Sequence, residues 1–413
     1  MVTSLPDRPS TPAEEARWEA VRQSFLGDPL EAYLNTGSWG IMARPTYEAL
    51  VAALREQELN PTLKRESLLE GVRQARERLG HLVGACPEDL AFTTNVTVAI
   101  NIVVNGLPWR PGDEILASDQ EYGAIDNCLH NAARRWGVTV RRAAIPIPPT
   151  SPADVIAAFE AGFTDRTRLL LCSHITSGTG LIVPAKALAD LAHARGAMIV
   201  IDGAHGPGML PLDLSALGCD FYGGNCHKWL CAPKGVGFLH AAPHVQERIA
   251  HLVVSWGYSR DGTTRDDTRP LINGLPYMWG IETLGTISMP EQIATGEAAR
   301  FQAEIGPRRI AERGRQLAGY LRRRMAEHDW AELISPSHPD MTGSISAFRL
   351  TGLGEMDLRQ VLHDRYRITA PGGARDGQHR LRVSTHLYNT FEEIDRLAAA
   401  LAELHAEAAA HRG

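Results

Sequence analysis

The chain predicts an α/β fold: a mostly parallel sheet covered by helices on both faces, followed by a smaller α+β region. Apolar strands alternate with helical patterns between residues 90 and 241. "RLLLCSHIT" (168–176) is a continuous apolar run, as a strand buried on both faces requires. Beyond about residue 285 the alternation stops and longer helical stretches take over.

Taken in order, residues 1–30 are polar and Pro-rich before turning helical, and read as an N-terminal arm. "YLNTGSWG" (33–40) is extended and built from small residues. Residues 45–82 carry a long helical pattern, loosely interrupted at Asn60-Pro61. "LAFTTN" (90–95) reads as a strand and "VTVAINIVVNGL" (96–107) as the helix after it; "DEILASD" (113–119) precedes a helix over 122–136. After "RLLLCSHIT" come a helix over 184–195, the strand "AMIVIDGAH" (197–205), a short strand near 219–223 and "GVGFLHA" (235–241). "SRDGTTRDDTRP" (259–270) reads as a surface loop. One long helix is expected over 291–328, and an Ala-rich amphipathic helix over 392–410. The expected division is an arm (1–30), a large domain (31–285) and a small C-terminal domain (286–413). Ligands of such sheets bind at the carboxyl ends of the strands.

Composition narrows the function. With 413 residues, 44% of them hydrophobic, the chain can bury a large core. A formal net charge of −6 gives no reason to expect nucleic acid or an anionic membrane as partner. The six cysteines are scattered, without a C-x-x-C pair or zinc spacing, so they read as thiols in a reducing compartment. No basic segment leads into an apolar one at the start, and no apolar run reaches the ~18 residues that span a bilayer. A cytoplasmic protein that binds no metal is expected.

Lysine is scarce. Only Lys64, Lys186, Lys228 and Lys234 occur, although Lys and Arg together number 42. A guanidinium stays protonated, whereas a desolvated ε-amine can lose its proton and form a Schiff base with a carbonyl cofactor. Lys64 and Lys186 lie in helical surface patterns, and Lys234 in a Pro-Lys-Gly turn. Lys228, in "FYGGNCHKWL", follows an apolar strand among small and polar residues. It is the candidate nucleophile, with a surface lysine as the plain alternative.

Other candidates also cluster where strands end. In "TTNVTVAIN" (93–101) a strand runs into a helix start; Thr94, Asn95 and Thr97 could hold a phosphate or simply cap the helix. In "VIDGAH" (200–205), Asp202 could pair with a protonated pyridine nitrogen or cap the next turn, and a lone His205 is commonly structural. The arginines of "RLRVSTHLYNT" (380–390) could fork onto a substrate carboxylate or belong to a basic edge strand.

Together "NVTVAIN", "DGAH", "GNCHKWLCAPKGVGFL" and "RVSTHLYNT" resemble the class V branch of fold-type-I pyridoxal-phosphate enzymes. "YLNTGSWG", "HITSGTG" and "GNCHKWL" resemble its isopenicillin N epimerase-like subgroup most closely. The resemblance spans nearly the whole chain. It implies a mostly parallel seven-stranded sheet and pyridoxal 5′-phosphate as cofactor. It makes Lys228 the covalent attachment point and proton carrier, and Asp202 the partner of the pyridine nitrogen. His205 and Ser177 would sit near the phenolic oxygen, and Tyr122 would stack on the ring. Asn95, Val96, Thr97, Asn225 and His227 would hold the phosphate. Gly285 and Thr286 would reach the phosphate site of a neighbouring subunit, so a homodimer is expected. Arg382 would bind the carboxylate of an amino-acid substrate, with Asn35 and Trp39 beside it and Trp256 and Trp279 near the mouth.

One departure matters. Desulfurases of the branch carry a persulfide-forming cysteine shortly before the carboxylate-binding arginine. Here "ITAPGGARDGQHRLRV" (368–383) has none, and no cysteine follows Cys231. The expected reaction makes a Cα carbanion on an unusual amino acid or cysteine S-conjugate of specialised metabolism, ending in C–S β-elimination or decarboxylation-linked chemistry. Cα epimerisation, amine transfer and a non-catalytic regulatory role are the alternatives. A nicotinamide-dependent dehydrogenase is excluded, since no G-x-G-x-x-G follows the first strand.

Overall fold

Successive residues of a strand point to opposite faces, and here both faces are buried. In the computed structural model the described residues are 10–255, 264–266, 269–272, 275–375 and 378–411. The central strands are β1 Leu90–Thr93, β2 Glu114–Ser118, β3 Thr139–Ala143, β4 Thr167–Ser173, β5 Met198–Gly203, β6 Phe221–Asn225 and β7 Gly237–Ala241. They form one seven-stranded sheet in the order β1-β7-β6-β5-β4-β2-β3. β7 runs antiparallel to both neighbours, and the other pairings are parallel. Ile115, Ala117, Leu169, Leu171 and Val200 pack with Ile100, Val103, Ile125 and Leu129, from the helices Val96–Gly106 and Gly123–Trp136. Leu116, Leu170, Cys172, Ile199 and Ile201 face the other way, onto Leu79, Leu188 and Ala192 of Arg65–Val83 and Ala185–Ala194. The continuous apolar runs follow from this double cover.

Several elements differ from the sequence reading. β3 went unread because "TVRRA" sits at the sheet edge and alternates only weakly. The helix Pro152–Gly162, which leads from β3 to β4, went unread with it. The long helix expected over 291–328 is two, Met289–Ile305 and Pro307–Ala326. Gly306 between them has φ +100°, a backbone that favours glycine, and Pro307 lacks the N–H that would continue the first helix. Part of the loop expected at 259–270 is strand: Thr264–Asp266 pairs antiparallel with Arg269–Ile272, and that strand with Leu275–Pro276. Residues 259–263 and 267–268, and Trp256, lie outside the described residues, as do 1–9 of the arm.

The rest of the arm is bonded to the C-terminal part. Glu15 and Arg22 of the helix Pro12–Arg22 pair with Arg313 at 2.9 Å and Glu393 at 3.0 Å. A four-stranded antiparallel sheet follows in the order Ala331–Leu333, Ile345–Leu350, Gln378–Ser384, Gly372–Arg375. The strand bearing Arg382 is therefore interior, not the edge strand considered above. Ala32–Tyr33 pairs parallel with Ile368–Thr369, and Asn35 bridges to Ser384. That pairing hangs residues 35–40 between the two sheets. Among the described residues no helix is long and apolar enough to cross a membrane.

Candidate active site

The carboxyl ends of β1, β2, β4, β5 and β6 converge on one cavity of about 270 Å³. It is lined by Asn95, Val96, Thr97, Tyr122, Ser177, Asp202, His205, Asn225, His227, Lys228 and Arg382, with Trp39 at the rim. Of the predicted site residues Asn35, Thr94, Gly285, Thr286 and Trp279 stand outside this lining, and Trp256 lies outside the described residues. Asn35 is one contact away, whereas Thr286 is exposed on the surface.

The β1 turn is both a cap and a cradle. Asn95 Oδ1 accepts from the Val98 N–H at 3.0 Å, and the Val96 N–H donates to Asn225 Oδ1 at 2.8 Å. Asn95 and Asn225 thus spend their side-chain oxygens on the backbone. Thr97, at the second helical position, has no intrahelical acceptor for its N–H and faces the cavity. His227, whose Nδ1 lies 3.3 Å from the Val236 carbonyl, faces it too. The positive end of the helix dipole adds to these donors.

Asp202 ends β5, only 2% exposed, its Oδ1 accepting from the Ala204 N–H at 2.9 Å. Burial raises its pKa, opposed by that hydrogen bond and by Lys228. Lys228 follows β6, and burial pushes its amine down to about 8; the Asp202 carboxylate works against this and the Arg382 cation with it. His205 lies with Nε2 at 3.4 Å from Lys228 Nζ. Burial first, then the Lys228 and Arg382 cations, hold its pKa well below the usual imidazole range. Close packing fixes the lysine's backbone: a Cβ on Gly40 would stand 1.9 Å from the Lys228 carbonyl oxygen, and the Gly40 N–H donates to the His227 carbonyl at 2.8 Å.

Arg382 forms the opposite wall. It donates to Ser177 Oγ at 3.0 Å, Ser38 Oγ at 2.9 Å and Asn35 Oδ1 at 3.3 Å, and to the Ser177 carbonyl at 3.2 Å. All are neutral oxygens, and its buried Nε has no partner. Ser177, expected beside a cofactor oxygen, thus touches the guanidinium. Trp39 is 61% exposed, its carbonyl accepting from the Tyr33 hydroxyl at 2.7 Å. Trp279 lies away from this cavity, under the Arg76 guanidinium at 4.9 Å.

Sequence reasoning missed Ser38, Ser173 and Glu121. Glu121 accepts from Ser118 Oγ at 2.5 Å and Ser173 Oγ at 2.6 Å, and burial pushes its carboxyl up to about 7. Its only signal was its place directly before Tyr122 in "DQEYG".

The family model described as aminotransferase class-V matches residues 59–397. The chain belongs to that family. Two similar class-V relatives are the isopenicillin N epimerases of Amycolatopsis lactamdurans and Streptomyces clavuligerus. The first is 41% identical, covering 94% of this chain and 98% of its own. The second is also 41% identical, covering 95% and 99%. Among solved structures, the cystine C–S lyase C-DES in complex with its product cysteine persulfide aligns with a TM-score of 0.81 at 25% identity, covering 91% of this chain and 98% of that one. A C-DES variant with glycine covalently linked to the pyridoxal-phosphate cofactor aligns at 0.80 and 25%, covering 92% and 99%. The fold is that of pyridoxal-phosphate enzymes, and pyridoxal 5′-phosphate is the class-V cofactor here.

The donor set fits that cofactor. A buried carboxylate could face a ring N–H, a near-neutral amine could meet an aldehyde, and a helix N-terminus with Thr97 and His227 could take a phosphate. Arg382 is left over from this set, its charge unmatched among the described residues.

Proposed function

We propose that this class-V enzyme removes and replaces the proton at Cα of an α-amino acid with a free carboxylate, its net reaction being Cα epimerisation. The observation that carries the proposal is the pairing of Arg382, bonded only to neutral oxygens, with Lys228, whose amine is lowered to about 8, across one cavity. A guanidinium without an anion receives one: its fork matches a carboxylate with two parallel donors. The 41% identity to two isopenicillin N epimerases puts epimerisation ahead of the C–S cleavage favoured by sequence alone, and suits an unusual amino acid of specialised metabolism.

Bound pyridoxal phosphate supplies an electron sink for negative charge developing at Cα. The chain's residues do the rest. Asp202 holds the pyridine nitrogen protonated, and burial keeps water from competing for it. Thr97, through its free N–H and hydroxyl, and His227 would hold the phosphate, whereas the Val96 N–H is already taken by Asn225. Tyr122, 53% exposed, covers the ring. Lys228 attaches the cofactor and carries the proton at Nζ. Ser38, Asn35 and Ser177 aim Arg382 at the substrate carboxylate.

A second reading, β-elimination from a cysteine S-conjugate, is favoured by the likeness to C-DES. Persulfide-forming desulfuration is not, because no cysteine lies among the described residues lining the cavity. The functional unit is a cytoplasmic homodimer in which Thr286 reaches the partner's phosphate site. Leu284 is exposed near Thr286 in the chain, and a groove of about 890 Å³ close by is lined by Leu63, Leu69, Leu275 and Trp279 together with Glu70 and Arg73. Sedimentation tests the dimer, and Thr286→Ala should weaken cofactor retention without touching the folded mass.

Incubation of the holoenzyme with amino acids and cysteine conjugates in deuterium oxide tests the chemistry. Deuterium at Cα with inverted or mixed configuration there supports epimerisation. Pyruvate and a thiol would favour elimination, and a keto acid amine transfer. Bound cofactor with no change in any substrate would leave only a regulatory role.

A further inference from the structure

Trp229 directly follows Lys228 and is completely buried. Its Nε1–H donates to His205 Nδ1 at 3.0 Å. An indole nitrogen only donates, so Nδ1 must present a lone pair, and the proton of a neutral His205 sits on Nε2. That nitrogen is the one 3.4 Å from Lys228 Nζ. An imidazolium would set two N–H groups head to head at Nδ1, so the same contact opposes protonation.

We infer that Trp229 is a positioning residue that holds His205 as its neutral Nε2–H tautomer, presenting one fixed hydrogen-bond donor beside Lys228. The indole is itself held in place. Its residue's carbonyl accepts from Gln302 Nε2 at 2.6 Å and from His386 Nε2 at 2.8 Å, and His386 meets the ring edge-on at 5.3 Å. Trp229 thus ties the lysine's neighbour to the helix Met289–Ile305 and to the segment just after Arg382's strand. The charged groups around His205 are Lys228 after β6, Asp202 on β5 and Arg382 on the second sheet. Both cations disfavour a doubly protonated ring, and it is the indole contact that then selects between the two neutral tautomers. The inference rests on the cleft's being the pyridoxal-phosphate site. There an Nε2–H offers a donor to the cofactor, whereas an Nδ1–H ring would offer a lone pair.

Plain core packing would make the same contact, so the test must read the tautomer. Full-length cofactor-free protein is labelled with ¹⁵N-histidine, and long-range ¹H–¹⁵N correlations distinguish protonated from unprotonated ring nitrogens. The His205 signals are those missing from His205→Gln. The expected result is an unprotonated Nδ1 and a protonated Nε2 between about pH 6 and 8, where an ordinary histidine would titrate. Trp229→Phe keeps an aromatic ring at the position and removes the donor. His205 should then populate both tautomers, and in the loaded enzyme the visible band should titrate at a shifted pH. Its kcat should fall roughly three- to tenfold, the scale of one lost hydrogen bond. An Nδ1–H ring in the wild type overturns the inference, as does a folded Trp229→Phe protein with unchanged tautomer and titration. If Trp229→Phe does not fold, the wild-type spectrum alone decides. A wrong reaction assignment would show in the deuterium experiment and leave the tautomer untouched.

Discussion

The cavity has two cationic walls on which the same burial has different consequences. On the wall built from the central sheet, Lys228 loses its solvation beside Asp202 and its amine falls to about 8. On the wall built from the second sheet, Arg382 is also desolvated, and its pKa is lowered too. A guanidinium starts so high that it keeps its charge, whereas an ammonium brought near 8 shares its time with a neutral nucleophile. On the proposed reading, the same physical force would make an attacking group on one side and an anion receptor on the other. An arginine-rich chain that places one of its four lysines here can use both.

The largest expected effect comes from deleting the amine. Lys228→Ala should fold but lose the visible band of the bound cofactor and any borohydride-reducible adduct. Turnover should fall by at least about a hundred-thousandfold. An adduct that survives, mapped by peptide mass to Lys64, Lys186 or Lys234, would move the nucleophile off this wall. Next comes Asp202→Asn, which should retain cofactor yet lose roughly a thousandfold in Cα–H exchange, about 4 kcal/mol of barrier. Near wild-type exchange would reduce Asp202 to the turn cap that its bond to Ala204 also makes it.

The two walls were not equally legible in the sequence. The Lys228 wall is built from strand ends, and an apolar run that stops at "VIDGAH" or "FYGGNCHK" marks its own chemistry. Asp202, Lys228 and Thr97 could be named because each lies at a strand's end or a few residues beyond it, whereas Tyr122 came only from the family resemblance. The Arg382 wall is a meeting of distant segments. Arg382 was named from its motif, but Ser38 as its partner was not, nor the contact with Ser177, since no local periodicity encodes a pairing of residue 38 or 177 with 382. The partnership of Trp229 with His205 was hidden likewise, because a tryptophan after a strand is ordinarily core. β3 was missed because an edge strand needs no apolar alternation on its open side.

Arg382→Lys sharpens the difference between the walls by making them chemically alike. A lysine cannot fork onto a carboxylate, and at this site burial would push its amine toward neutrality as it does that of Lys228. KM for amino-acid substrates should rise about 10- to 100-fold, about 1.4–2.8 kcal/mol, with a smaller fall in kcat. The loss should deepen as pH rises, because the substituted amine would shed its charge where arginine would not. An unchanged KM would mean that the substrate carboxylate binds elsewhere.

The smallest effects are pH shifts, and they separate the neighbours of Lys228. Only the neutral amine attacks an aldehyde, so cofactor uptake by the cofactor-free protein should speed up about tenfold per pH unit and level off near 8. An ordinary lysine would keep accelerating to about 10.4. The linkage has a definite sign: a lysine lowered on folding costs stability in full below its folded pKa. That cost is relieved as pH rises through about 8 toward the unfolded value, because the unfolded chain there binds more protons. The carboxylate of Asp202 raises the amine's pKa and the Arg382 cation lowers it. Asp202→Asn should therefore move the levelling-off point to lower pH, and Arg382→Gln to higher pH. Stopped-flow absorbance of cofactor uptake across pH measures both. Absence of a shift in both variants would mean that burial alone, and not the charges on the two walls, sets the lysine's state.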